Sequence, residues 1–253
     1  MTDLAIFKQK VVFITGAGSG IGPATALAFA ELGAQTVLVG RKKAPLEETA
    51  QNITQAGHLA PLIIENCDVS QEDNLKSALS QTFEKFGRLD IAFNNAGMAD
   101  SALGPLADIN SDAYQRMMQV NVDGVFFAMK HEIPLMRQTI EKFKTEAGAG
   151  GQCRILNTAS IAGLIGFANA AALDYANDKI AINAIAPGPV ETPLVHEFTQ
   201  TEANDTAFKQ QIPMKRYGTS EEIAELVIGL CSPQMKFITG TVITIDGGIT
   251  AGH

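Results

Sequence analysis

Residues 11–22 read Val11-Val12-Phe13-Ile14-Thr15-Gly16-Ala17-Gly18-Ser19-Gly20-Ile21-Gly22, and their reading decides the fold. Val11–Thr15 is a short apolar run closed by glycine, which reads as a buried strand. Residues Ile21–Leu32 read as a helix, with alanines, Leu27 and Phe29 available for packing. Between them, Gly16 permits a tight turn and Gly20 a close backbone approach to a pyrophosphate. Gly22 lets the helix pack on the strand. The free amides and positive end of the helix then face the phosphates, with Ser19 and Ile21 in the same turn. Pro23 fits because the first helical turn needs no N–H donor. A glycine-rich stretch is specific only in this strand–turn–helix context, and a purely structural turn is the alternative. No Gly-Lys-Ser/Thr follows, which argues against a P-loop.

Outward from this unit, β-rich runs alternate with helical stretches. Strands are expected at Thr36–Val39, Leu62–Glu65, Leu89–Phe93, Arg154–Asn157, Ile180–Ile185 and Val242–Ile245. Helices are expected at Lys43–Gln55 and Gln71–Phe86, the latter with Leu75, Ala78, Leu79 and Phe83 on one stripe. A long helix capped by Ser111 runs to about Lys144, and another, capped by Ser220, covers Glu221–Cys231. The alternation predicts an α/β fold: a doubly wound, mostly parallel, Rossmann-like sheet in a single domain over 1–253. Ligands then sit at the carboxyl ends of the strands, where strand order reverses.

Composition agrees with a folded enzyme-sized domain. Of 253 residues, 46% are hydrophobic and 18% charged, with 23 Gly and 10 Pro, which excludes a disordered polyampholyte and a collagen. The net charge of −8 argues against nucleic acid as a partner. Cys67, Cys153 and Cys231 are widely spaced and read as reduced thiols. No basic-then-apolar leader opens the chain, and no apolar run reaches the ~20 residues of a membrane span. A cytoplasmic protein without a membrane partner is expected. His58, His131, His196 and His253 share no metal-ligand spacing, so no metal is expected.

Thr15-Gly16-x-x-x-Gly20-Ile21-Gly22 resembles the cofactor motif of the short-chain dehydrogenase/reductase family, and six further segments follow in order. Cys67-Asp68-Val69 resembles the segment whose aspartate meets the adenine. Asn94-Asn95-Ala96-Gly97 resembles the family's Asn-Asn-Ala-Gly beside the cofactor. Asn121 matches the asparagine of the active-site relay, and Ser160 the catalytic serine after the fifth strand. Pro187-Gly188-Pro189-Val190-Glu191-Thr192 resembles the segment whose threonine lies near the nicotinamide carboxamide. Asp246-Gly247-Gly248 resembles the C-terminal signature. The resemblance implies hydride transfer between a nicotinamide coenzyme and a carbonyl or secondary alcohol. It implies Asn121 and Ser160 as catalytic residues. Cofactor contacts would come from Gly16, Ser19, Gly20, Ile21, Arg41, Asp68, Val69, Asn95, Ala96, Gly97, Pro187, Gly188 and Thr192. A homodimer or homotetramer is the usual assembly.

The second strand ends Val39-Gly40-Arg41-Lys42. A carboxylate there would bond the ribose hydroxyls and repel a 2′-phosphate. Gly40 removes it and Arg41 and Lys42 add cations, which favours NADP(H) over NAD(H). The alternative is that both are solvated charges at a helix start. Residues 193–214 are expected to form a substrate lid, with Phe198, Phe208 and Met214 either lining an apolar pocket or packing the lid itself.

One part is missing. The family's chemistry uses a Tyr and a Lys one helical turn apart, the ammonium lowering the phenol's pKa. The family's spacing from the serine falls on Leu173. Tyr175-Ala-Asn-Asp-Lys179 has the right internal spacing but directly precedes the strand at Ile180, so it should stand at the wrong edge of the sheet. About sixteen residues, roughly 24 Å of helix, look absent. Three readings stay open: a segment missing from the chain as written, a shorter and catalytically disabled relative, or recruitment of Tyr175 and Lys179 by a rearranged short helix.

Overall fold

The computed structural model describes residues 5–98, 110–144, 151–158 and 171–251. Seven strands form one parallel sheet: β1 Val11–Thr15, β2 Gln35–Val39, β3 Leu62–Ile64, β4 Ile91–Asn94, β5 Cys153–Thr158, β6 Ile180–Pro187 and β7 Val242–Ile245. Their order is β3-β2-β1-β4-β5-β6-β7. Strand order therefore reverses between β1 and β4, which places the crevice at the end of the glycine turn.

Alternation along β1 shows why the sheet is covered twice. Val11 and Phe13 join one apolar cluster, while Val12 and Ile14 join the other. The first face is covered by α3 (Glu72–Phe86) and α5 (Gly124–Lys142), through Leu75, Leu79, Val125 and Met129. The second is covered by α1 (Ile21–Glu31) and α2 (Lys43–Gln55), and by a helix at Ser220–Cys231. Near-continuous burial along the strands is what a parallel sheet with helices on both faces requires.

Most expected elements lie within one or two residues of their observed ends, and the differences have local causes. Asn110, not Ser111, caps α4 (Ser111–Met118), its Oδ1 accepting from the amides of Asp112 and Ala113 at 2.8 and 3.2 Å. The long helix is not continuous: a π-helical turn, Gln119–Asp123, separates α4 from α5. Residues 193–214 contain two short helices, α6 Pro193–Thr199 and α7 Glu202–Gln211. Neither has a strong apolar period to announce it in sequence. They pack through Val195, Ile212 and Tyr217, with Phe208 against Tyr217 at 6.0 Å between ring centres, while Met214 is exposed. The side chain of Phe198 lies outside the described residues. Ser220–Cys231 is α8, and its cap is Thr219, not Ser220.

The three thiols are buried and free. Burial pushes Cys67 up to about 11, and Cys153 and Cys231 up to about 12. They behave as core residues, not nucleophiles.

Candidate active site

The carboxyl ends of β1, β4 and β6 bring the glycine turn, the 94–97 segment and the 187–192 segment together. Thr15, the last residue of β1, holds the middle of this arrangement. Its Oγ1 accepts from the amides of Asn95 and Ala96, each at 3.0 Å. Asn95 Nδ2 donates back to the Thr15 carbonyl at 3.2 Å. The approach is so close that a Cβ on Gly16 would stand 2.9 Å from Ala96 Cα, and Gly16 also has φ +66°. Glycine is required there on both counts.

Helix α1 is preceded by Gly20, φ 61°, as its cap residue, without a side-chain cap bond and without an acidic residue in its first turn. Its opening amides thus have no carboxylate or hydroxyl of their own to serve them. Gly20 faces Thr192: a Cβ there would stand 3.0 Å from Thr192 Cγ2. The helix start, Ser19 and Ile21 beside it, and the 187–192 segment therefore share one wall. Gly188 donates its amide to the Ile245 carbonyl at 2.9 Å, which ties Pro187-Gly188 to the end of β7. An uncapped, acid-free helix start facing Thr192 fits a diphosphate-bearing coenzyme.

Asn121 lies on the π-helical turn and reaches the segment that follows β4. Its Oδ1 accepts from the Met98 amide at 2.9 Å and its Nδ2 donates to the Met98 carbonyl at 2.8 Å. A Cβ on Gly97 would stand 3.4 Å from that Oδ1. The side chain thus clamps the segment that leaves Gly97. Ser160 lies outside the described residues.

Other candidates divide. Asp68 Oδ1 accepts from Ser70 N and Oγ at 3.0 and 2.8 Å, so it shapes the turn before α3. Val69 is buried and packs on Gly124. Arg41 and Lys42 are exposed and make no hydrogen bond or ion pair among the described residues. Gly40 abuts Leu46, its would-be Cβ 3.3 Å from Leu46 Cδ2.

Tyr175 and Lys179 stand elsewhere. The Lys179 carbonyl accepts from the Cys153 amide, and Cys153 pairs with Ile180, so both strands start there. The Tyr175 ring lies under the Arg137 guanidinium at 5.0 Å, and Arg137 binds Asp178. Arg137 is sixteen residues beyond Asn121 on the same run of helix, roughly 24 Å away. The pair occupies the amino edge of the sheet, opposite the glycine turn.

Sequence reasoning missed two residues. Thr15 stands in the sequence as a strand end and the first residue of the glycine motif, with nothing local to show that its hydroxyl braces Asn95 and Ala96. Glu132 interrupts the apolar stripe Val125, Ala128, Met129, Ile133, Met136 of α5, and that interruption was its signal.

The comparisons with known proteins agree with this geometry. A family model described as enoyl-(acyl carrier protein) reductase matches residues 16–250. Cyclohexanol dehydrogenase from Acinetobacter sp. (strain SE19) is 33% identical over 261 residues, spanning 97% of this chain and 96% of that protein. The crystal structure of a levodione reductase has a TM-score of 0.88 at 31% identity, covering 98% of this chain and 100% of the other. That of a 3-ketoacyl-(acyl-carrier-protein) reductase from Brucella melitensis, complexed with NADH, has a TM-score of 0.84 at 33% identity, covering 96% and 99%.

Proposed function

This chain belongs to the short-chain dehydrogenase/reductase family, and on that premise we propose how its residues serve the family's chemistry. It is a nicotinamide-dependent oxidoreductase acting between a carbonyl and a secondary alcohol. The coenzyme supplies the hydride-accepting or hydride-donating ring, and the chain binds and orients it and handles the proton. The observation that carries the assignment is the uncapped start of α1, set against Thr192 and beside Asn95-Ala96. Gly16, Ser19, Gly20 and Ile21 receive the diphosphate. Asp68 and Val69 flank the adenine side, and Asn95, Ala96 and Gly97 support the ribose side. Pro187, Gly188 and Thr192 meet the nicotinamide. Ser160 bonds the substrate oxygen. Asn121, whose side-chain amide spans Met98, serves the proton relay.

NADP(H) is the favoured coenzyme, because Gly40 offers no carboxylate and Arg41 and Lys42 stand exposed next to it. Replacing Arg41 by Ala should weaken NADPH binding by about tenfold and leave NADH within about twofold. Equal loss for both coenzymes would point to solvated charges instead. The substrate is a small carbonyl or alcohol, and 193–214 closes over it. No helix among the described residues is long and apolar enough to cross a membrane, and we place the protein in the cytoplasm. A homodimer or homotetramer is the proposed assembly, which light scattering would test.

We further propose that the segment joining β5 to β6 is shortened and has lost the Tyr–Lys pair. The amino-edge position of Tyr175 and Lys179 favours this over their recruitment. The same observation favours a second reading, coenzyme binding without turnover. Calorimetry with NADH and NADPH, intact mass, and turnover on a panel of carbonyls decide among these. Uptake with turnover supports the enzyme, and uptake without turnover at a mass matching 253 residues supports the second reading. Absence of uptake of either coenzyme by folded protein removes both.

A further inference from the structure

Glu132 is wholly buried on α5, which packs over β4 and β5. Asn94, the last residue of β4, is in register with Asn157, one residue before the end of β5, and both are buried as well. Asn94 Nδ2 spends its two hydrogens on Glu132 Oε2 at 3.2 Å and Asn157 Oδ1 at 3.0 Å. Asn157 Nδ2 turns to Met129 Sδ at 3.5 Å. Two buried atoms of this cluster have no partner among the described residues: Asn94 Oδ1 and Glu132 Oε1.

If Glu132 were ionised, both orphans would be acceptors, and a buried charge would rest on one neutral donor. One proton on Oε1 satisfies both, since the acid O–H then donates to the amide carbonyl while the amide N–H donates to the acid carbonyl. We propose that Glu132 is a neutral carboxylic acid in a cyclic pair with Asn94, and that through Asn94 it positions the Asn95-Ala96-Gly97 segment for the coenzyme. Glu132 is a positioning residue, and this role rests on the reading of that segment given above.

The surroundings agree. Burial pushes the Glu132 carboxyl up to about 8, with only the Asn94 hydrogen bond opposing. The charged groups on the elements around it are engaged elsewhere. On α5, Lys130 and His131 bind Glu72 of α3, and Arg137 binds Asp178. Asp90, just before β4, is held by Arg88 and Lys10, and Arg154 on β5 turns to Gln152. The consequence passes through one peptide: Asn94 ends β4, and the next two amides are those donated to Thr15.

The test compares the wild type with Glu132→Gln, which can form the same cyclic pair as an amide but cannot ionise. Infrared difference spectra at neutral pH should show a protonated-carboxyl carbonyl band that E132Q lacks. A carboxylate band in its place, as from an ionised Glu132 served by a buried water, overturns the proposal. Reduced coenzyme should bind E132Q within about twofold of the wild type at neutral pH. Above about pH 8 the wild type should lose about tenfold in affinity while E132Q does not. Parallel pH profiles for the two overturn the positioning role. Should wild-type protein take up neither coenzyme, the functional reading fails by itself. The infrared band and hydrogen exchange at the Asn95 and Ala96 amides, faster in the wild type than in E132Q above that pH, then decide this inference alone.

Discussion

Helices α1 and α8 pack against each other on the same face of the sheet, yet they begin in opposite ways. Helix α8 opens with a complete capping box. Thr219 Oγ1 accepts from the Glu222 amide at 3.1 Å, and Glu222 accepts from the Thr219 amide at 2.8 Å. Glu221 and Glu222 add negative charge to its first turn, and Arg216 forks onto Glu222 at 2.6 and 2.7 Å. Helix α1 has glycine at its cap, no side-chain cap bond and no acid in its first turn. A helix start satisfied by its own side chains is finished structure. One left bare at the carboxyl edge of a parallel sheet, at the switch point, is provided for an anion from outside.

The contrast can be broken or sharpened by four changes, in falling order of effect. In Gly22→Ala the new Cβ would stand 2.2 Å from the Gly16 carbonyl oxygen, a backbone atom that no side-chain rotation can move aside. Thermal unfolding should report a loss of about 3 kcal/mol, and calorimetry no coenzyme uptake. Ser19→Asp puts into the bare turn the kind of charge that α8 welcomes. Coenzyme affinity should fall about a hundredfold, while unfolding shifts by less than ~1 kcal/mol. Parental affinity in S19D would mean that the phosphates do not sit at α1. Thr219→Ala should do the reverse, costing about 1 kcal/mol in denaturant titration and leaving coenzyme affinity unchanged.

The smallest effect is a pH effect confined to α8. The Arg216 guanidinium and the Thr219 amide hold the Glu222 carboxyl down at about 2, below its ordinary value. A depressed carboxyl stabilises above its ordinary pKa and ceases to do so as pH falls through the depressed one. The melting-temperature advantage of the parent over Glu222→Gln should be complete above about pH 5 and vanish on acidification toward 2. Coenzyme affinity at α1 should be the same in parent and variant across that range. A matching loss there would tie the two helix starts together.

The glycine turn, its strand and its helix were legible because every feature is local: apolar residues in a short run, glycines at the bend, proline in the first turn. Caps were less legible, since Asn110-Ser111 and Thr219-Ser220 each offer two adjacent capping residues, and only the backbone angles choose between them. The break in the long helix at Gln119–Asp123 carried no breaker residue, so the 3.6-residue period ran through it unmarked. Glu132 could be noticed as a charge in an apolar stripe, but its partner Asn94 comes from a strand thirty-eight residues away in the chain. Tyr175-x-x-x-Lys179 shows how a local pattern misleads. The spacing is right, and the edge of the sheet on which it stands is wrong.

Local residue order alone determined the doubly wound parallel sheet and its nucleotide-facing turn, because apolar period and glycine placement act within one strand, one bend and one helix. Tertiary structure alone decided that Thr15 braces Asn95 and Ala96, that Glu132 meets Asn94, and that Tyr175 and Lys179 lie away from the site. Those pairings depend on strand register and on how each helix is rotated against the sheet, which are settled only when distant segments pack.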